Sequence, residues 1–179
     1  MRPYFRLYFK GAAMTHLGTD VLTLTHVAIT LVAILSGFVV LAQMLKSRWS
    51  GAWTGVFLAT TLLTSLTGFV FFHPPHAPTP AQLTGVVALV ILLPTLYGLY
   101  LAHLRGLWRP VYVIGAVVSL WLNVFVGIIQ SFQKVPSPFQ FAEGAAPGGP
   151  VFGAVQLVVL ILFVIAGWRA VKRFHPANA

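Results

Sequence analysis

The sequence contains no cysteine, and this absence excludes several kinds of chemistry at once. Disulfide bonds, iron–sulfur clusters, thiolate metal sites and cysteine nucleophiles all require a thiol. Carboxylates are nearly as scarce, since Asp20 and Glu143 are the only two acidic residues. Neither lies inside a long apolar stretch, so the sequence lacks the intramembrane carboxylate that ion-coupled transporters ordinarily use.

The sequence also lacks the short motifs of several enzyme classes. It contains no Gly-x-x-x-x-Gly-Lys phosphate loop, no Gly-x-Ser-x-Gly nucleophile elbow and no His-Glu-x-x-His helix. These motifs provide a phosphate-binding backbone, an activated serine and a catalytic zinc site, respectively. Their absence favours a non-enzymatic role, although the histidines described below leave a redox or catalytic role open.

Charged residues make up only 7% of the sequence, whereas soluble domains carry about 25%. Hydrophobic residues make up 58%, and the mean hydropathy is +0.89. Because so few charges cannot cover a fold in water, we expect the outer surface to face a lipid bilayer. The net charge of +9 would suggest nucleic-acid binding in a soluble protein. Here the basic residues lie mostly at the ends of apolar stretches, so no nucleic-acid partner is expected.

Five apolar stretches are each long enough, at about 20 residues, to cross a bilayer as a helix. They are too long for strands, and a helix satisfies its own backbone hydrogen bonds in lipid. The sequence therefore predicts an all-α integral membrane bundle of five transmembrane helices, with one transmembrane domain over residues 21–173 and a tail over 174–179. The predicted helices cover residues 21–45, 53–72, 83–104 with a kink at Pro94, 111–132 and 151–168.

The distribution of lysine and arginine predicts the orientation, because cytoplasmic loops carry an excess of both. If the five helices alternate in direction, seven basic residues fall on one side and four on the other. We therefore expect the N-terminus outside and the C-terminus in the cytoplasm. The seven are Lys46, Arg48, Arg105, Arg109, Arg169, Lys172 and Arg173; the four are Arg2, Arg6, Lys10 and Lys134.

Residues 1–20 are predicted to form an N-terminal interfacial segment. The start of this segment, MRPYFRLYFKGAA, is basic and aromatic, and its three positive charges disfavour export of that end. Two interpretations stay open for residues 1–13. They form a short interfacial helix, or they are an extension ahead of a translation start at Met14.

Polar side chains are costly inside a membrane, so their positions carry most of the information about function. Three predicted helices each present one polar or small face at helical spacing. Such faces fit either close helix packing, with hydroxyls and amides bonding between helices, or a polar pocket. They consist of His26, Thr30, Ala33 and Gly37 in the first helix; Thr60, Thr64 and Thr67 in the second; and Ser119, Asn123, Gly127 and Gln130 in the fourth.

Two further histidines, His73 and His76, lie in the stretch GFVFFHPPHAPTP after the second helix. Its prolines end the helix and keep the connection extended. Two interpretations stay open here as well. The histidines are amphipathic interfacial residues, or they converge with His26 and Asp20 as a ligand-binding or proton-transfer cluster on the outer side.

Three kinds of cofactor are compatible with such a cluster. Haem b would need two axial histidines at similar depth, for which His26 and His73 are the candidates. A transition-metal ion would use His26, His73, His76 and Asp20. A quinone would accept hydrogen bonds from His26 together with Gln130 or Asn123.

The preferred interpretation is a small accessory or binding protein with an outward-facing pocket between helices one, two and four. The pocket would use His26, Asn123 and Gln130, with His73 and His76 from the connection. The first alternative is a membrane redox protein or enzyme that holds haem, a metal ion or a quinone at the same residues. The second is a small-solute channel or carrier along the threonine face. A larger membrane complex and a homo-oligomer are both open as protein partners.

Three segments carry a resemblance to other proteins: ATTLLTSLTGFVFF, TPAQLTGVVALVIL and VYVIGAVVSLWLNVFVGIIQSFQKVP. In these the chain resembles a group of small polytopic membrane proteins common in proteobacterial genomes. The resemblance spans most of residues 21–173 and implies a bacterial inner-membrane location. No activity is established for that group, so the resemblance implies no functional residues.

Overall fold

Every regular element in the described part of the chain is helical. A computed structural model describes the backbone of residues 3–70, 80–134 and 148–176, and the side chains of 21–68, 82–132 and 148–176. His73 and His76 lie outside these ranges, as does the side chain of Asp20. The elements are α1 (Pro3–Leu45), α2 (Gly51–Val70), α3 (Pro80–Leu96), a π-helical segment (Tyr97–Leu101), α4 (Trp108–Lys134) and α5 (Pro150–Arg173).

Four helical stretches in the described residues are long and apolar enough to cross a membrane: Val21–Leu45, Gln82–Leu101, Trp108–Phe132 and Pro150–Arg173. For the described residues, these helices confirm the predicted all-helical fold and support the predicted bilayer environment. The remaining predicted span, α2, is not among these four stretches. Its 20 residues give a helix of about 30 Å, the thickness of the hydrocarbon core.

Helix α2 packs antiparallel to α1 along much of its length. The Thr30 hydroxyl lies 3.4 Å from that of Thr64. Further along, Gly37 of α1 faces Phe57 of α2, so closely that a Cβ on the glycine would lie 2.8 Å from the ring. Contact positions therefore rise on α1 as they fall on α2. The turn at residues 46–50 closes this helical hairpin.

The remaining helices continue the alternation of direction. Asn123 of α4 bonds Thr61 of α2, and Phe38 of α1 lies against Phe163 of α5 with ring centroids 6.1 Å apart. Gly37 of α1 faces Leu120 of α4, and Ile34 of α1 faces Gly127, so α4 runs antiparallel to α1 and therefore parallel to α2. The Phe38–Phe163 contact and the bond from the His175 amide to the Ser47 hydroxyl make α5 parallel to α1. The turn after α1, the connection between α3 and α4, and the end of α5 consequently meet at one end.

All seven basic residues of the predicted cytoplasmic side are located at this end, which is called the basic end. The Arg109 guanidinium donates to the Phe174 carbonyl at 3.2 Å, and the His175 amide donates to the Ser47 hydroxyl at 3.0 Å. Trp49 and Phe174 pack around Tyr112, which is 0% exposed. Tyr112 therefore belongs to the core.

Burial differs sharply between the helices. Helix α4 lies between the others, and half of its most apolar stretch is buried. In α5 only 6% of the corresponding stretch is buried. Leu120 of α4 packs in one core with Met44 of α1, Phe57 of α2 and Leu92 of α3. Helix α5 thus presents most of its apolar side chains outward, as a helix at the edge of a bundle in lipid does.

At the N-terminus, α1 begins at Pro3 and runs without a break through residue 20. The backbone therefore shows no boundary where the interfacial segment was predicted to end. The interfacial position of residues 1–20, and the alternative start at Met14, stay predictions.

Candidate functional site: a polar layer opposite the basic end

His26 of α1 reaches across to Thr67 of α2. Its Nδ1 atom lies 2.8 Å from the Thr67 hydroxyl oxygen. That hydroxyl has one hydrogen, which it donates to the Leu63 carbonyl at 2.7 Å. Thr67 therefore accepts a hydrogen bond from the Nδ1–H group of His26.

Gly68 lies beside this imidazole. A Cβ on Gly68 would lie 3.7 Å from the His26 Cε1 atom, which is ordinary van der Waals contact, so an alanine would also fit there. The histidine ring therefore packs against α2 at the end away from the basic end. Thr30 lies one turn further along α1, and its hydroxyl donates to the His26 carbonyl at 2.8 Å.

Asn123 of α4 occupies a deeper and different position. Its amide nitrogen donates to the Thr61 hydroxyl at 3.0 Å, and the two residues are 6% and 0% exposed. Thr61 lies almost two turns from Thr67 on α2. Asn123 is therefore separated from His26, and its geometry is that of a hydrogen bond holding two helices together.

Replacing Asn123 with leucine is expected to destabilise the bundle by about 1 kcal/mol, because the interhelical hydrogen bond is lost. The double variant Asn123→Leu/Thr61→Val should cost less than the sum of the two single changes, since the residues share one bond. Thermal unfolding in detergent, followed by circular dichroism, measures both effects.

Thr60→Val is the matched control, because Thr60 is next to Thr61 but donates only to carbonyls of its own helix. Its effect should stay within about 0.5 kcal/mol. Fully additive costs for Asn123→Leu and Thr61→Val would contradict the pairing.

Gln130 lies two turns beyond Asn123 on α4, towards the end that carries His26. Its side-chain oxygen, Oε1, is buried and accepts no hydrogen bond within the described part of the chain. Because Asn123 pairs with Thr61 and the two helices run parallel, Gln130 lies at the level of Gly68. His26 and Gln130 therefore share one layer of the bundle, together with Thr67; this is the polar layer.

Helix α5 adds a residue that the sequence-based prediction missed. Gln156 donates through Nε2 to the Phe125 carbonyl at 3.2 Å, while its Oε1 atom is buried without a partner in the described region. A signal was present, since Gln156 is the only amide, hydroxyl or charged side chain between residues 151 and 167. It lies on the other side of α4 from the residues that face α1 and α2.

The hydroxyl face of α2 is engaged in packing. Thr60 and Thr67 donate to carbonyls of their own helix, as does Ser65. Thr64 faces Thr30, and Thr61 accepts from Asn123. These contacts favour helix packing over a solute pathway along the threonines.

Only part of the predicted set of metal ligands belongs to the described residues. Among the residues whose side chains are described, no group of three histidine, aspartate or glutamate side chains could hold a metal ion. Of the predicted ligands, only His26 belongs to that part; His73, His76 and the Asp20 carboxylate do not. The haem pair of His26 and His73 and the four-residue metal set stay predictions.

Comparison with known proteins adds no relative. The chain matches no family model, and neither a curated protein nor a solved structure matches it. The resemblance to small proteobacterial membrane proteins therefore stays a prediction, and the functional argument depends on the geometry of the site alone.

Proposed function

We propose that the chain is a small binding or accessory protein of the bacterial inner membrane, crossing it five times. Support for α2 as a span comes from its packing along α1 and from its length of 20 residues. Support for a cytoplasmic C-terminus comes from the basic end, since lysine and arginine accumulate on the cytoplasmic side. The polar layer then opens towards the outside.

The polar layer is the proposed binding site, and the buried Gln130 Oε1 atom is the observation that carries this proposal. An acceptor buried without a donor costs about 1–3 kcal/mol. A ligand that donates a hydrogen bond to Oε1 would remove this cost. The proposed ligands are therefore small membrane-soluble molecules bearing a hydroxyl or amine.

A hydroquinone and its quinone form a matched pair of probes for this proposal. They share one carbon skeleton, but only the hydroquinone donates hydrogen bonds. We expect the purified protein to bind decyl-ubiquinol at least about tenfold more tightly than decyl-ubiquinone, a difference corresponding to one hydrogen bond to a buried acceptor. Anaerobic titration followed by quenching of tryptophan emission measures both affinities.

Gln130→Leu should abolish the difference between the two probes by removing the acceptor. Gln156→Leu is the matched control, because it removes a similar buried amide oxygen on the other side of α4. It should leave the preference unchanged. Equal affinity of the wild-type protein for both probes would refute the proposed site, as would a preference that survives in Gln130→Leu.

The redox alternative is supported by the contact between His26 Nδ1 and the Thr67 hydroxyl. Histidine ligands of haem and metal ions commonly donate one ring N–H group to a neighbour while the other nitrogen binds the metal. The Nδ1–H···Thr67 bond supplies the first of these two contacts. A Soret band or a stoichiometric metal ion in the purified protein, lost in His26→Ala, would establish this function in place of the first.

A further inference from the structure

A shallow groove of about 650 Å³ opens on the surface at the basic end, away from the polar layer. Leu93, Pro94, Tyr97 and Leu101 form one wall, and Trp108 at the start of α4 forms part of the other. Its volume lies within the range typical of small-ligand sites. The lining is almost entirely apolar, which suits a hydrocarbon chain and not a polar metabolite.

The groove exists because the regular helix ends at its centre. Pro94 has no amide hydrogen, so the carbonyl one turn earlier loses its usual partner. The π-helical segment follows at Tyr97, with the Ala102 amide bonding the Tyr97 carbonyl at 2.9 Å. Such insertions widen a helix locally. Tyr97 then packs on Trp108 with ring centroids 4.5 Å apart, which joins the two sides of the groove.

Arg105, an exposed residue in the connection from α3 to α4, lies beside the groove, since its carbonyl accepts a hydrogen bond from the Trp108 amide at 3.0 Å. Among the described residues its guanidinium makes no hydrogen bond or ion pair. Its neighbours are engaged, since Arg109 donates to the Phe174 carbonyl and Lys172 lies 4.0 Å from the Trp168 ring centroid. Arg105 is thus positioned to meet an anion at the membrane surface.

The basic end as a whole has no internal counter-charge. None of the residues with described side chains is acidic. In sequence, Asp20 precedes the Val21–Leu45 span and Glu143 lies between α4 and α5, so neither belongs to a connection at the basic end. Seven cations therefore face the membrane surface together, where anionic lipid headgroups supply the opposite charge.

We propose that this groove is a binding site for one anionic phospholipid, with an acyl chain along Leu93, Tyr97 and Leu101 and the phosphate at Arg105. Tyr100 and Trp108 also line the groove, and tyrosine and tryptophan are enriched at the depth where acyl chains meet their headgroups. The apolar lining selects the chain, and the unpaired charge selects the headgroup. This site is independent of the polar layer at the other end of the bundle.

Brominated phospholipids test the proposal, because a brominated acyl chain quenches tryptophan only on contact. The full chain is reconstituted in phosphatidylcholine vesicles containing a rising fraction of brominated phosphatidylglycerol or, in parallel, brominated phosphatidylcholine. We expect phosphatidylglycerol to reach half-maximal quenching at a several-fold lower fraction. Trp108→Phe should remove this early quenching, whereas Trp53→Phe, at the same end on α2, should retain it.

Charge variants separate a built site from a general surface attraction. Arg105→Gln should weaken the preference for phosphatidylglycerol about fivefold, the value of one cation near an anionic surface. Arg169→Gln makes the same charge change on α5 and should leave most of the preference intact. Equal quenching by the two lipids in the wild-type protein would overturn the proposal, as would equal losses in both arginine variants.

A second tryptophan in the groove makes the test independent of any packing defect that Trp108→Phe causes. Leu101 is 69% exposed and lines the same groove, so Leu101→Trp adds an emitter without disturbing the core. Its added emission should be quenched by phosphatidylglycerol at the same low fraction as that of Trp108. Added emission that responds equally to both lipids would overturn the proposal.

Discussion

Gly115→Ala is expected to destabilise the bundle by about 1–3 kcal/mol, the cost of an added methyl group in a close-packed core. Gly115 of α4 faces Thr95 of α3, and a Cβ at position 115 would collide with the Thr95 hydroxyl and lie 3.1 Å from the Thr95 Cβ atom. The hydroxyl cannot turn away without breaking its bond to the Ile91 carbonyl at 2.7 Å. Thermal unfolding in detergent measures the loss.

A second substitution identifies the cause. Thr95→Ala removes the colliding hydroxyl, so Gly115→Ala/Thr95→Ala should recover a large part of the lost stability. Gly55→Ala is the matched control, because nothing lies within 4 Å of a Cβ at this position in α2. It should be neutral or slightly stabilising, since alanine is the better helix former. If Gly115→Ala were as stable as the wild type, α3 and α4 could not pack as closely as described.

The fold class was predictable from the sequence, because the composition indicates that the chain lies in lipid and a lipid environment strongly restricts the possible folds. Apolar stretches of this length with so few charges are expected to form transmembrane helices, because a helix satisfies its own backbone hydrogen bonds in lipid. Boundaries were less accurate. The predicted third helix ran to residue 104, whereas α3 ends at Leu96 and the π-helical segment ends at Leu101. Proline predicted a kink, but periodicity contains no signal for an inserted residue in a helical turn.

The candidate site was only partly predictable, because a polar face does not identify its partner. Spacing placed Asn123 and Gln130 on one face of α4, yet Asn123 bonds Thr61 while the Gln130 oxygen has no partner in the described region. That difference depends on the register between α2 and α4, which arises from packing. Likewise, the threonine face of α2 was visible, but the pairing of Thr67 with His26 and of Thr61 with Asn123 was not.

Function at either end of the bundle depends on which side of the membrane that end faces. Packing brings Ser47, Arg109 and Phe174 together at the basic end and leaves the start of α5 at the other. The number of crossings matters equally, because an α2 that failed to cross would place its two neighbouring connections on the same side. Cysteines in three connections test both: positions on either side of α4 report the orientation, and Gly51→Cys, at the exposed start of α2, should be labelled from the same side as Leu107→Cys only if α2 crosses.

Single cysteines are expected to give an all-or-none result in that experiment. The wild-type chain has no cysteine, so it is an unlabelled background. Gly149→Cys, just before α5, should react with a membrane-impermeant maleimide applied from outside, in intact cells or in spheroplasts. Leu107→Cys, which replaces a residue that is 83% exposed at the basic end, should react only after the membrane is permeabilised. The reverse pattern would place the basic end outside, against the excess of lysine and arginine there. Labelling of both positions from the same side would refute the five-span arrangement and, with it, an outward-facing polar layer opposite a lipid-binding basic end.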